Sequence, residues 1–234
     1  MGKPAGPDTP LNIMIPAVYY SRSALIVAKT MDTRRTDADR TFFEERAQLL
    51  DPIIAELEPL EAALMAHERG AATVAQAAVV LGDVVLDTTV RDANRTTKAE
   101  LANKSGLGAQ HVFGQRVDDL TDEPLHLEPA AVIHAADRLA DVPDFASKAR
   151  IDSELRGAAT RQEEALESRG DAERAGAQLE SRIAAAIVRA SEALGALEGA
   201  LLGRFSRQYK YCGGFFASTR ARRTKRKKDE EGST

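Results

Sequence analysis

Tryptophan is absent from the 234-residue chain, cysteine occurs once, and aromatic residues make up only 5%. A lone thiol, Cys212, cannot close an intramolecular disulfide, which excludes a disulfide-stapled small domain. No uninterrupted apolar run reaches the roughly 18 residues of a spanning helix, and no collagen-like glycine period is present. Residues 1–10 hold three prolines, two glycines and one lysine, and the apolar run Leu11–Tyr20 is broken by Asn12 and Pro16. That order does not fit a secretory signal, so a cytoplasmic protein is expected.

What is present is apolar residue at 43% and charged residue at 29%. Such a chain has material for a core and is too apolar to be wholly disordered. Alanine dominates and arginine far outnumbers lysine, a composition suggestive of a GC-rich bacterial genome. The formal net charge of -4 hides an asymmetry. Residues 1–202 carry 22 basic against 33 acidic groups. Residues 203–228 carry Arg204, Arg207, Lys210, Arg220, Arg222, Arg223, Lys225, Arg226, Lys227 and Lys228, with no acidic group among them. Phe205, Tyr209, Tyr211, Phe215 and Phe216 lie in or beside that run. Cations release counterions from polyphosphates and aromatics stack on bases, so this segment is the candidate nucleic-acid or anion-binding element. The same mixture also suits an anionic membrane surface, and a solvated tail that keeps the chain soluble or folds back on its acidic body is the plainer reading of such a charge run.

Spacing predicts helices. Phe43, Ala47, Leu50, Ile53, Leu57, Leu60, Leu64 and His67 step by three or four, with Pro59 expected to kink the helix and Gly70 to end it. Val74, Ala78, Leu81, Val85 and Thr88 form the expected core row of the next helix, over 72–104. Its polar continuation from Asp87 to Lys104 either forms a polar core layer, pairing with Arg161, Gln162 or Arg169, or protrudes into solvent, and the second reading is preferred. Ile151, Leu155, Ala159, Gln162, Leu166 and Arg169 form a weaker row, closed by Gly170 with Asp171 as the next N-cap. Leu179, Ile183, Ala186, Ala190, Leu194, Leu197, Leu201 and Phe205 make the clearest row of all. The expected fold is all-α: an elongated antiparallel bundle of four long helices, with shorter N-terminal and hinge helices and a disordered basic C-terminal tail. The expected divisions are a flexible N-terminus at 1–16, a bundle at 17–210 with a hinge at 106–129, and the tail at 211–234.

Chemistry-bearing patterns are sparse. Glu123 and His126 give one Glu-x-x-His pair with Pro124 inside it, where a di-iron bundle needs two. His111 and His134 lie in or just after the hinge, and His67 lies apart. Asp83 and Asp87 share a helix face and would need a neighbour to hold a cation. Cys212, between Tyr211 and two glycines, sits in an expected flexible joint. Neither a phosphate loop nor a nucleophile elbow occurs, and Arg169-Gly170-Asp171 reads as a helix boundary. Ser191, Gly195, Gly199 and Gly203 recur every four residues, a row that lets another backbone approach closely inside the bundle or at an oligomer contact. No catalytic residue, metal ligand, cofactor or small-molecule substrate is therefore assigned. The expected function is a non-enzymatic, self-associating helical scaffold or protein-interaction module. The alternatives are a non-specific nucleic-acid binder and a membrane-surface or pore-forming helical protein.

Overall fold

The computed structural model describes residues 2–217. Those residues are all-α, with no strand among them. The described residues divide into two compact units: residues 2–65 with 177–217, and residues 66–176.

The first unit contains α1 (Leu11–Met31), α2 (Asp37–Gln48) and most of α3 (Asp51–His67). Thr36 starts α2 with a capping box: its hydroxyl accepts from the Asp39 amide and the Asp39 carboxylate accepts from the Thr36 amide, each at 3.2 Å. The row from Phe43 to Leu60 faces inward as its spacing predicts, with Phe43, Ala47, Leu50, Leu57 and Leu60 buried. Gly70 does not end the helix. A π-helical turn, Glu68–Ala72, carries the backbone from α3 into the next helix.

The second unit is built on α4 (Thr73–Leu101), α5 (Ala109–Phe113), α6 (Asp118–Thr121), α7 (Glu128–Arg138) and the N-terminal part of α8 (Lys148–Arg204). The segment 106–129 is not a hinge. Ala109, Val112, Phe113 and Leu120 are buried in this unit's core, and the division between units falls at 65/66 and 176/177 instead. Gly170 and Asp171 do not break α8. One glycine without its two neighbours' cooperation costs a helix only about 1 kcal/mol. Ile151, Leu155, Ala159 and Gln162 are buried as their spacing predicts. Asn94 and Thr97 are buried too, so the polar half of α4 packs rather than protruding.

In the first unit, the row from Leu179 to Phe205 on α8 is buried at all eight positions read from the sequence. The chain continues through α9 (Tyr209–Cys212) and a 3-10 turn, Gly213–Phe215. Cys212, Phe215 and Phe216 are buried in the core, so residues 211–216 belong to the fold and not to the tail. The N-terminal boundary moves likewise: Ala5, Leu11, Met14 and Ile15 are buried, and α1 starts at Leu11 and not at 17. Gly2 lies against the Phe216 carbonyl so closely that a β-carbon would not fit.

Candidate interaction surface

The outer face of α4 is the most unusual surface of the second unit. Val74, Ala78, Leu81, Val85 and Thr88, the expected core row, face outward; Val74 is 67% and Leu81 66% exposed. The buried row is Ala75, Val79, Leu86, Val90, Ala93, Thr97 and Leu101. Both rows are apolar up to residue 88, so periodicity alone does not choose between them. The choice is made further on. The outer row runs into Asp92 and Arg95, while the inner one stays packable to Leu101, and a continuous row buries more area.

The exposed strip therefore carries Val74, Ala77, Ala78, Leu81, Val84 and Val85 over about 17 Å of helix. An apolar window within residues 37–101 has mean hydropathy 1.4 and only 17% of it is buried. A second, in α1, has mean hydropathy 1.3 with 39% buried. Both are long and apolar enough by composition to cross a membrane. Isolated surface leucines are ordinary, whereas this strip is contiguous along one helix face.

Beneath the other side of α4 lies an acidic centre. Glu128, the first residue of α7, is 1% exposed. Burial, and then the neighbouring carboxylates Asp87 and Asp83, push its carboxyl up to about 8. The neighbour of Asp83 and Asp87 is thus a carboxyl whose proton is held more tightly than usual. Arg91 approaches Asp87 at 3.9 Å and Asp118 at 3.7 Å from the exposed side. Gln162, fully buried on α8, presses on Gly82 and makes no side-chain hydrogen bond among the described residues.

The histidines are dispersed. His111 pairs with Asp141 at 3.0 Å, His134 lies 4.0 Å from Asp137, and His67 packs against Gly176. Glu123 and His126 are both exposed in the turn before α7. Among the described residues no group of three His, Cys, Asp or Glu is arranged to hold a metal ion.

Of the ten basic candidates, Arg220, Arg222, Arg223, Lys225, Arg226, Lys227 and Lys228 lie outside the described residues. Arg204 is engaged within the fold, its Nε donating to Asp39 at 2.9 Å. Burial opposes ionisation of Asp39, but the hydrogen bonds from Arg204 and Thr36 outweigh it and hold the carboxyl below its ordinary value. Arg207 and Lys210 are exposed. The aromatics do not offer stacking faces as expected: Phe205, Phe215 and Phe216 are core residues, and only Tyr209 stands out, at 64% exposed. Phe43 stacks between Phe205 and Phe215, at 5.5 and 5.6 Å between ring centres, and the Arg35 guanidinium lies over Phe205 and Tyr211 at 4.6 and 4.4 Å. The signal that placed these aromatics with the tail was their nearness in sequence to the cations. Cys212 is itself no poised nucleophile, since burial pushes its thiol up and Sγ donates to the Leu201 carbonyl at 3.5 Å.

Among the described residues, nothing packs against the three glycines of the small-residue row. Gly195, Gly199 and Gly203 are exposed, with open space where a β-carbon would project, and Ser191 is half-buried. No family model, no curated protein and no solved structure matches the chain.

Proposed function

We propose that this protein is a non-enzymatic helical interaction module that pairs with a second copy of itself through the outer face of α4. The exposed apolar strip from Val74 to Val85 supports this reading. The strip is complementary to itself. A two-fold axis at Leu81 sets Ala77 and Ala78 of one antiparallel copy against Val85 and Val84 of the other, small against large. It opposes Val74 to Thr88 and brings no two like charges together, because positions 74, 77, 78, 81, 84, 85 and 88 are all uncharged. That is the pattern of an isologous contact.

Size-exclusion chromatography with light scattering tests it on the full chain. The wild type is expected at twice the chain mass of 25.2 kDa, and Leu81→Glu with Val84→Glu at the chain mass with unchanged helicity. A monomeric wild type at tens-of-micromolar loading would rule out self-association by this face.

A second reading rests on the charge asymmetry: a basic segment bound to nucleic acid through phosphates, without sequence preference. It predicts that log K falls with log salt with a slope of several units, about 0.9 per phosphate neutralised. Deletion should start after Ala217 and not after Lys210, since Cys212, Phe215 and Phe216 are core. Binding that survives this deletion, or that ignores salt, rules the reading out.

A further inference from the structure

A groove of about 790 Å³ opens in the first unit, between the second half of α1 and the segment that follows α8. Its volume is within the range of about 300–1,000 Å³ usual for small-molecule sites. Nothing in the self-association reading uses it. Ala24 and Ala28, one turn apart on α1, border it, and because they are small the helix surface is hollow there. Val27, Met31 and Phe215 add apolar walls. Val27 is 48% and Met31 77% exposed, so apolar surface is left in water that an occupant would cover. Tyr20 donates to the Gly214 carbonyl at 3.2 Å, tying α1 to the far wall.

One end of this apolar groove is cationic. Arg34 and Lys210 both line it. The single carboxylate there, Asp32, is shared: Arg35 holds it at 2.9 Å, and Arg34 reaches it only at 3.4 Å with 90% of its side chain exposed. Lys210 has no carboxylate partner among the described residues. Two lining cations, Arg34 and Lys210, thus stand beside an open apolar channel whose one carboxylate, Asp32, is already held by Arg35. Tyr211, also on the lining, has a hydroxyl with no hydrogen bond among the described residues.

From this we infer that the groove binds one acyl chain of an amphiphile with an anionic head, the chain along Ala24, Ala28 and Phe215 and the head at Arg34 and Lys210. A carboxylate or phosphate head supplies the missing negative charge, and the tail removes Val27 and Met31 from water. The acyl chain has two possible sources, a free fatty acid or a bilayer lipid, and the chemistry is common to both.

Calorimetric titration of the full chain with dodecanoate, below its micelle concentration, provides the test. One dodecanoate is expected per chain. Dodecyltrimethylammonium, equal in tail and opposite in head, should bind at least tenfold more weakly. Ala28→Leu fills the hollow without touching a charge and should abolish saturable binding; Ala24→Leu is the second variant should the first lose helicity. Arg34→Glu with Lys210→Glu should weaken dodecanoate about tenfold and narrow its advantage over the cationic analogue. Flotation with phosphatidylglycerol vesicles separates the sources. If Ala28→Leu ends both flotation and dodecanoate binding, the chain is drawn from a bilayer; if it ends only the latter, the ligand is a free amphiphile. Absence of saturable binding, equal affinity for the two heads, or dodecanoate binding untouched by both alanine variants would overturn the assignment and move the binding to the basic segment or to α4.

Discussion

Phe43→Ala is expected to cost the first unit about 3–5 kcal/mol, the largest loss any single truncation should produce. Phe43 is fully buried, and its ring is stacked on Phe205 and Phe215 while meeting Phe42 edge-on at 5.9 Å. Removing it takes away the transfer energy of the ring and leaves a cavity lined by three aromatics. Those aromatics come from α2, the end of α8 and the closing 3-10 turn, so no single element can collapse into the gap. The loss also reaches the groove, because Phe215 forms one of its walls. Urea unfolding followed by circular dichroism measures the cost as a lowered midpoint. Leu49→Ala, six residues along on the same helix end and 57% exposed, is the control and should change stability by well under 1 kcal/mol. Equal effects from the two variants would mean that the aromatic stack is not the keystone of this core.

The same stack shows why some of the fold can be read from the sequence and some cannot. The row from Leu179 to Phe205 is legible because its opposite face is charged or small: Glu180, Arg182, Arg189 and Glu192 leave only one way to bury the helix. The helix from Val74 gives no such instruction. It is apolar on two sides through Val85, and only the fate of each row beyond Asp87 identifies the inner one. The 106–129 segment reads as a hinge because glycine and proline punctuate it. Yet Val112, Phe113 and Leu120 are apolar anchors spaced too irregularly for any periodicity to register. The candidate sites divide in the same way. Charge runs are visible in one dimension, whereas the groove depends on Ala24 and Ala28 meeting Phe215 and Lys210, residues nearly two hundred positions away. Small residues that shape a hollow carry no sequence signal of their own.

Glu128 leads to the second large effect, a loss of stability with rising pH. In the unfolded chain its carboxyl titrates near the ordinary 4.5; in the fold it stays protonated to about 8. Between those values the folded state binds one proton more than the unfolded state. The slope of unfolding free energy with pH is 2.303RT times the protons bound unfolded minus folded, so it is negative there, at most about 1.4 kcal/mol per pH unit. The protonated form stabilises fully below pH 4.5 and that contribution is gone by pH 8. Asp83 and Asp87 on α4 are the carboxylates that face it, and Arg91 partly offsets Asp87 from outside. Other carboxylates act in the opposite sense at lower pH. Hydrogen bonds from Arg189 to Glu56 and from Ser147 to Glu100 hold those groups below their ordinary values, against the burial that opposes them. Their contribution is lost as the pH falls through their folded-state values, below the window in which Glu128 acts. Stability should therefore peak near pH 5 and decline on both sides. Glu128→Gln keeps the shape and offers an amide donor toward Asp83 and Asp87 in place of the carboxylic O–H, but has no proton to lose. Denaturant midpoints measured from pH 5 to pH 8.5 should fall for the wild type and stay flat for Glu128→Gln. The variant should be the more stable protein at pH 8, by roughly 4 kcal/mol if the whole shift is realised. Parallel pH profiles for the two proteins would show that Glu128 ionises in the fold as it does in the unfolded chain. The acidic centre under α4 would then be open to water rather than sealed.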